Sequence, residues 1–483
     1  MLLNQFFKDA PAIEIKQLSC DSRMPMEDCI FFCLRGIKDD GHNFVEEAIS
    51  NGAKVVIYEK PIDQSLPCIY IKVHDVLTVL NQIASKFYDE PGKDMENFVI
   101  TGSFGRNSVA FILKDIISHY RSCGYIGSYG IQYNNTKLLS NEPTLTILDN
   151  QRYLQAMRAE NVEACLFEAD SFGLDLQKLD SVNPKALIFT NASMNDDDKH
   201  FWGDKAASLR RYLKQVGDVD VIFNADDPLY QFVDTISDIR FTTYSTVDPN
   251  ADFFADEIEI SEEGSSFYLH CFQNTYQVYS NLLGRQNIYN LLAAIATLVE
   301  RGYPIDEVIN ACKDLTAPEG IMESIEEGQN YKVIVDSCIT YDSMVNALKF
   351  AKEVINVKHK IIALFGLNTF SNHEKRNHYG AVLDKYADLI VITEDDAYEE
   401  SVFQISDDMQ SGIKNTPTIT IENREDAIAA AVDLLNKGDM LLCLGKGQEK
   451  YMYRSLGKER YPGDSVLAAK YIKKRMEEEN EII

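Results

Sequence analysis

The strongest constraint on this chain is an alternation. Short apolar runs recur, each closed by polar turn residues and followed by a helix-like stretch. "NFVIT", "ACLFEAD", "ALIFTNAS" and "DVIFNADD" form a first series, and "YKVIVDS", "KIIALFG", "ADLIVITE", "TITIEN" and "DMLLCLG" a second. Continuously apolar strands separated by helices call for a mainly parallel sheet covered on both faces. The expected class is α/β, and the second series reads as a doubly wound, Rossmann-like unit.

The 483 residues exceed what one core fills, so about three domains of roughly 150 residues are expected. Two polar breaks place the boundaries. Asp89–Asn97 carries Pro-Gly, and Leu315–Gly320 reads "LTAPEG". The expected domains are residues 1–92, 93–317 and 318–483. Residues 1–92 alternate short strands and helices, and "NFVEEAISNGA" is a helix closed by Gly52. Residues 251–284 read as an antiparallel meander ahead of the helix "QNIYNLLAAIATLVERG".

A net charge of −28 argues against nucleic acid, because phosphate backbones need a basic surface. The ten cysteines form no C-x-x-C pair, and several lie in apolar runs, so buried reduced thiols are expected. Neither a signal peptide nor a membrane span is read, and the expected compartment is the cytoplasm.

The chemistry concentrates in "ITGSFGRNS". A strand enters a glycine turn that opens a helix, the layout of a phosphate loop, G-x-x-x-x-G-K-[ST], without its lysine. Gly102 and Gly105 suit a turn whose backbone N–H groups meet an anion at a helix N-terminus. The same glycines also suit any tight strand–turn–helix junction.

The segment "DSRMPMEDCIFFCLRGIKDDGHNFVEEAISNGAKVVIYEK" resembles the N-terminal domain of the Mur ligases, MurE type. The resemblance continues in order through "ITGSFGRNS", "FEADSFGL", "IFTNASMNDDDKH", "LLGRQNIYNLLAAI", "PEGIMES", "FGLNTFSNHEKR", "TEDDAYEES", "CLGKGQEKY" and "YPGDS". It implies a three-domain fold with a central phosphate-loop domain and a C-terminal Rossmann-like domain. It also implies ATP-dependent addition of an amino acid to UDP-N-acetylmuramoyl-L-Ala-D-Glu, with Mg2+.

Carried over position by position, the resemblance puts nucleotide at Gly102, Ser103, Gly105, Arg106, Asn107, Ser108, Asn287, Asp336 and Lys375. It puts metal at Asn107, Glu168 and Asp196, and catalysis at Arg106, Glu168 and Arg210. Several positions depart from the family. Arg106 stands for the loop lysine, Asn107 for a threonine and Asp196 for a metal-binding histidine. Arg210 stands for a carbamylated lysine, and Ile321 and Ser371 for arginines. A guanidinium is a larger, planar, permanently charged fork, and a poor carbamate precursor. "NDDDKH" also reads simply as an exposed acidic turn.

The substrate side keeps more of the pattern. Ser22, Arg23, Gly41 and His42 match the part that holds the UDP-muramoyl group, and Pro143 matches a T-T-P element. The same N-terminal residues also read as a structural turn between strands. Asp395, Asp396, Gly445 and Glu449 match the surroundings of the incoming amino acid. There the chain lacks the arginine of the diaminopimelate type, and "YPGD" looks like the lysine type. Three functions follow as expectations: a ligase of divergent or impaired chemistry, a pseudoenzyme binding a precursor or a protein partner, or a regulatory ligand-binding role on the same scaffold.

Overall fold

A computed structural model describes all residues except 37–38, 141, 193–200, 234–238, 339 and 482–483. The chain divides into two compact units, Met1–Thr243 and Tyr244–Ile483.

The first unit opens with a parallel four-stranded sheet in chain order, β1 (Gln17–Ser19), β2 (Cys29–Phe32), β3 (Ala53–Tyr58) and β4 (Ile69–Lys72). β2 is buried throughout, as a strand covered on both faces must be. The helix Val76–Phe87 is capped by Asp75, whose carboxylate accepts from the N–H groups of Leu77 and Thr78.

A second sheet of this unit is built on β5 (Glu96–Thr101), β6 (Cys123–Gly127), β7 (Gly130–Tyr133), β8 (Thr136–Leu138), β9 (Ala164–Ala169), β10 (Pro184–Phe189) and β11 (Asp220–Asn224). Its order is β11-β10-β5-β9-β6-β7-β8, parallel as far as β6. The antiparallel edge, β7 with β8, was not read from the sequence. Its signal is Asn134-Asn135, and Asn134 takes the positive φ of 46° that a tight hairpin needs. The polar break near residue 92 is packed. Asn97 Nδ2 donates to Gly92 O at 2.9 Å and to Val182 O at 2.6 Å.

In the second unit, the end of β12 (Phe241–Ser245) pairs with β13 (Phe253–Ser261), which continues through β14 (Gly264–Cys271) and β15 (Asn274–Ser280) as the expected meander. The buried helix Arg285–Glu300 follows. A six-stranded sheet then runs β16 (Glu323–Ser324), β17 (Lys332–Asp336), β21 (Met440–Leu444), β18 (Ile361–Phe365), β19 (Leu389–Ile392), β20 (Thr418–Thr420), parallel except for β16. The short hairpin β22 (Tyr451–Arg454) with β23 (Gly457–Arg460) precedes the last helix, Asp464–Glu481.

All ten cysteines are free thiols, and all but Cys20 and Cys68 are buried. No helix among the described residues is long and apolar enough to cross a membrane.

Candidate functional site

The glycine loop lies at the carboxyl end of β5 and opens the helix Arg106–Ser118. Gly102 takes φ 139° and Gly105 φ 80°, and a Cβ on Gly102 would sit 2.7 Å from Asn191 O. Only glycine fits that approach. Two residues just past β10 hold the loop from outside. Ser103 N–H donates to Asn191 O at 2.8 Å, and Phe104 N–H to Asn191 Oδ1 at 3.1 Å. Thr190 Oγ1 and Asn191 Nδ2 each donate to Phe104 O at 2.8 Å. Sequence reasoning assigned Thr190-Asn191 no role, because a polar pair after a strand reads as any turn.

The loop's own side chains turn inward. Arg106 Nη1 donates to Gly102 O and, at 3.3 Å, to Ser103 O. Its Nε is buried with no hydrogen-bond partner. Asn107 Oδ1 accepts from Ser108 N–H at 2.8 Å, and Ser108 is buried. Beside the loop lies an open pocket lined among others by Gly102, Ser103, Leu174, Phe189, Ser208 and Leu229.

Glu168 is the fifth residue of β9, the strand next to β5, and is 1% exposed. Its Oε1 accepts from the Tyr125 hydroxyl and its Oε2 from Ser128 Oγ at 2.6 Å. Burial, then the charge of Glu168, holds the Tyr125 hydroxyl well above the usual tyrosine range. Thr144 Oγ1 donates to Glu168 O at 3.0 Å, which fixes the segment that carries half-buried Pro143. Arg210 lies half-buried on the helix Phe201–Val216. Asp196 lies outside the described residues.

The oxygens of Glu168 and Asn107 are of the hard type that Mg2+ takes. Both oxygens of Glu168 and the amide oxygen of Asn107, however, already accept a hydrogen bond from within the chain. So bonded, Glu168 and Asn107 do not fit a bound Mg2+, which would have to displace these contacts.

The N-terminal group is closely bonded. Ser22 Oγ donates to Glu47, and Asn51 Nδ2 donates to Ser22 O at 2.7 Å. Arg23 makes two 2.8 Å hydrogen bonds to Asp21 and is otherwise exposed. His42 Nε2 accepts from the N–H groups of Glu59 and Lys60, at 3.2 and 3.3 Å. Its Nδ1 then donates to Asp40 Oδ1 at 2.6 Å, which sets the neutral tautomer. A Cβ on Gly41 would come within 2.9 Å of the Leu34 backbone. His42 and Gly41 thus knit the segment after β2 to the end of β3.

In the second unit, Asp395, Asp396 and Glu449 converge on one ammonium, that of Lys446, whose side chain is fully buried. Lys446 Nζ lies 2.6 Å from Asp396 Oδ1 and 3.4 Å from Asp395 Oδ1. Burial works against its charge, yet these carboxylates hold its pKa above the usual lysine value. A Cβ on Gly445, which takes φ 108°, would be 3.3 Å from Asp395 Oδ2. The stacked rings of Tyr398 and Tyr453 lie alongside, with centroids 5.2 Å apart, and Phe370 packs edge-on to Tyr398 at 5.0 Å. Lys446 and the three aromatics had no assigned role in the sequence reading.

Asp336 ends β17, and its Oδ2 accepts from Met322 N–H at 2.8 Å. Burial pushes its carboxyl up to about 7. Asn287 spends its amide on Leu283 O and Asn290, both at 2.8 Å. Lys375 ends a short 3-10 helix, next to fully buried Arg376. Arg376 bonds Glu400 at 2.6 and 2.8 Å, Asp408 at 3.0 Å and Ser371 Oγ at 3.2 Å.

Three domain models match in order: "Mur ligase family, catalytic domain" over residues 14–88, "Mur ligase middle domain" over 100–298 and "Mur ligase, glutamate ligase domain" over 322–447. The UDP-N-acetylmuramoyl-L-alanyl-D-glutamate–2,6-diaminopimelate ligase of Bacillus velezensis is 29% identical over 465 residues, 94% of each chain. That of Alkaliphilus metalliredigens is 29% identical over 448 residues, 92% of this chain and 90% of its own. Among solved structures, a ligase of the same description has a TM-score of 0.73 at 23% identity and covers 99% of both chains. MurF from Thermotoga maritima in complex with ADP has a TM-score of 0.59 at 16% identity, covering 96% of this chain and 98% of its own.

Proposed function

Since the chain belongs to the Mur ligase family and is of the MurE type, we propose that it joins an amino acid to a UDP-N-acetylmuramoyl-peptide at the expense of ATP, with a slowed phosphoryl-transfer step. In that reaction a peptide carboxylate takes the γ-phosphoryl group of ATP to give an acyl phosphate and ADP. The amine of the amino acid then displaces phosphate and forms the amide. We propose domains of residues 1–92 for the UDP-precursor, 93–317 for ATP and 318–483 for the amino acid.

The glycine turn and the helix start at Arg106 support an anion site at Gly102–Ser108, because a helix N-terminus is where backbone N–H groups meet an anion, although those of Ser103, Phe104 and Ser108 are bonded within the chain. The observation that carries the slowed step is the inward turn of Arg106 onto Gly102 O and Ser103 O. A cation spent on its own loop is not positioned on a phosphate, and phosphoryl transfer depends on such positioning. Each lost contact of this kind costs about 2–4 kcal/mol in the transition state, without simple additivity.

A second reading, a binder of the precursor or of a protein partner without turnover, is favoured by one observation. Arg106, Asn107 and Glu168 all spend hydrogen bonds inside the chain. Phosphate release with ATP, Mg2+, the UDP-muramoyl-dipeptide and a panel of amino acids separates the two. Release that requires both precursor and amino acid supports the ligase, whereas none above buffer, with precursor binding intact, selects the binder.

A further inference from the structure

Glu168 presents a problem in charge. A carboxylate that is 1% exposed must be compensated, because an unpaired buried charge is among the most costly features a fold can carry. No described cation is hydrogen-bonded to it; two hydroxyls are. Tyr125, fully buried on β6, donates to Oε1, and Ser128, in the turn after β6, donates to Oε2 at 2.6 Å. The Tyr125 oxygen in turn accepts from Tyr129 N–H at 3.2 Å, so its proton is directed at Glu168. Phe111 wedges the ring, with centroids 5.2 Å from Tyr125 and 4.8 Å from Tyr129.

The backbone closes over the pair. A Cβ on Gly127 would collide with the Tyr125 oxygen and stand 2.7 Å from Glu168 Cδ and Oε1. A side chain at residue 127 would therefore displace the Tyr125–Glu168 contact. A carboxylate has further lone pairs, and each oxygen of Glu168 gives one of them to a hydroxyl.

We propose that Tyr125 and Ser128 are positioning residues that replace a divalent cation on Glu168. Hydrogen bonds from two hydroxyls to an ionised carboxylate are of the strong, charge-assisted kind, and together they satisfy one acceptor site on each oxygen. Glu168 is then a locked structural anion that holds β6 to β9, and it is withdrawn from metal binding.

The test uses the full chain and manganese(II) as the probe, followed by electron paramagnetic resonance at 150 mM salt, with and without a non-hydrolysable ATP analogue. Four proteins are compared: wild type, Glu168→Gln, Tyr125→Phe with Ser128→Ala, and that pair with Glu168→Gln. The expected result is one isotherm shared by wild type and Glu168→Gln. The hydroxyl-free pair gains one site at least tenfold tighter than the background of this acidic chain, and Glu168→Gln removes it. Wild-type binding that falls tenfold or more in Glu168→Gln would overturn the proposal. So would a hydroxyl-free pair that is folded and gains no site. If that pair does not fold, the isosteric Tyr125→Phe alone, with and without Glu168→Gln, gives the same comparison. Manganese alone is the readout, so a negative ligation assay leaves the outcome intact.

Discussion

The guanidinium of Arg106 donates to the carbonyl oxygen of Gly102, four residues before it, so the glycine loop is closed by its own first helical side chain. Release of this contact must precede any use of Arg106 on a phosphate. ATP affinity is therefore expected to be weaker than micromolar, by calorimetry with Mg2+ present. Arg106→Lys, with a compact ammonium on a flexible stem, is expected to tighten binding about tenfold, or about 1.4 kcal/mol. Micromolar binding by the wild type would show that the contact costs nothing to break.

Turnover is expected to need more than the loop. Arg210 is permanently protonated and half-buried on the helix Phe201–Val216. Arg106→Lys combined with Arg210→Lys is expected to raise ATP turnover above wild type, and Arg106→Lys alone is not. Wild-type ligation at ordinary enzyme rates, of order 1–1000 per second, would remove the case for a slowed step.

In the second unit, Arg424 and Asp464 form a pair with no exposed side-chain surface, at 2.6 and 2.9 Å. Tyr461 donates to the same carboxylate at 2.5 Å, and Arg424 also reaches Leu444 O at 2.9 Å. Asp464→Asn leaves a buried guanidinium without its countercharge. The expected loss is about 3–5 kcal/mol in urea unfolding. Arg424→Met with Asp464→Leu is expected to cost less than Asp464→Asn alone, because no charge is then stranded.

The layers of the fold were legible because apolar strands must be covered, and the polar residues that close them mark the turns. The glycines of the loop were legible for the same reason, since Gly102 and Gly105 take conformations few other residues accept. The direction of a long polar side chain was not. A sequence places Arg106 at a helix start but cannot say whether it faces a ligand or its own carbonyls. Nor does it reveal that Tyr125 and Glu168, forty-three residues apart, meet through adjacent strands. Lys446 went unassigned because its three carboxylates come from two separated segments.

Asp336 gives a pH dependence with a definite sign. Its carboxyl is near 7 in the folded chain, raised by burial, against about 3.9 unfolded. Between those values the folded state holds a proton that the unfolded state has lost. This group's contribution to stability is thus fully present below about pH 4 and is lost as pH rises through 7. Asp336→Asn is expected to flatten that part of the stability profile between pH 4 and 8. An unchanged difference profile would assign the slope to other groups.

The last expectation concerns the amino acid. Around Lys446 stand Asp395, Asp396, Glu449, Tyr398 and Tyr453; of the nearby arginines, Arg376 is fully buried against Glu400 and Asp408, and Arg454 is paired with Glu394 and Glu459. One lysine against three carboxylates leaves the cluster negative. Such a surface repels a second carboxylate and attracts an ammonium, and the Tyr453 ring already carries the Lys458 ammonium 5.7 Å from its centroid. Lysine is therefore expected to bind at least tenfold more tightly than meso-diaminopimelate, in competition calorimetry with the precursor present. Tyr398→Arg supplies a guanidinium at the edge of the cluster and is expected to narrow or reverse that preference. Equal binding of both amino acids by the wild type would show that the cluster does not meet the distal end of the ligand.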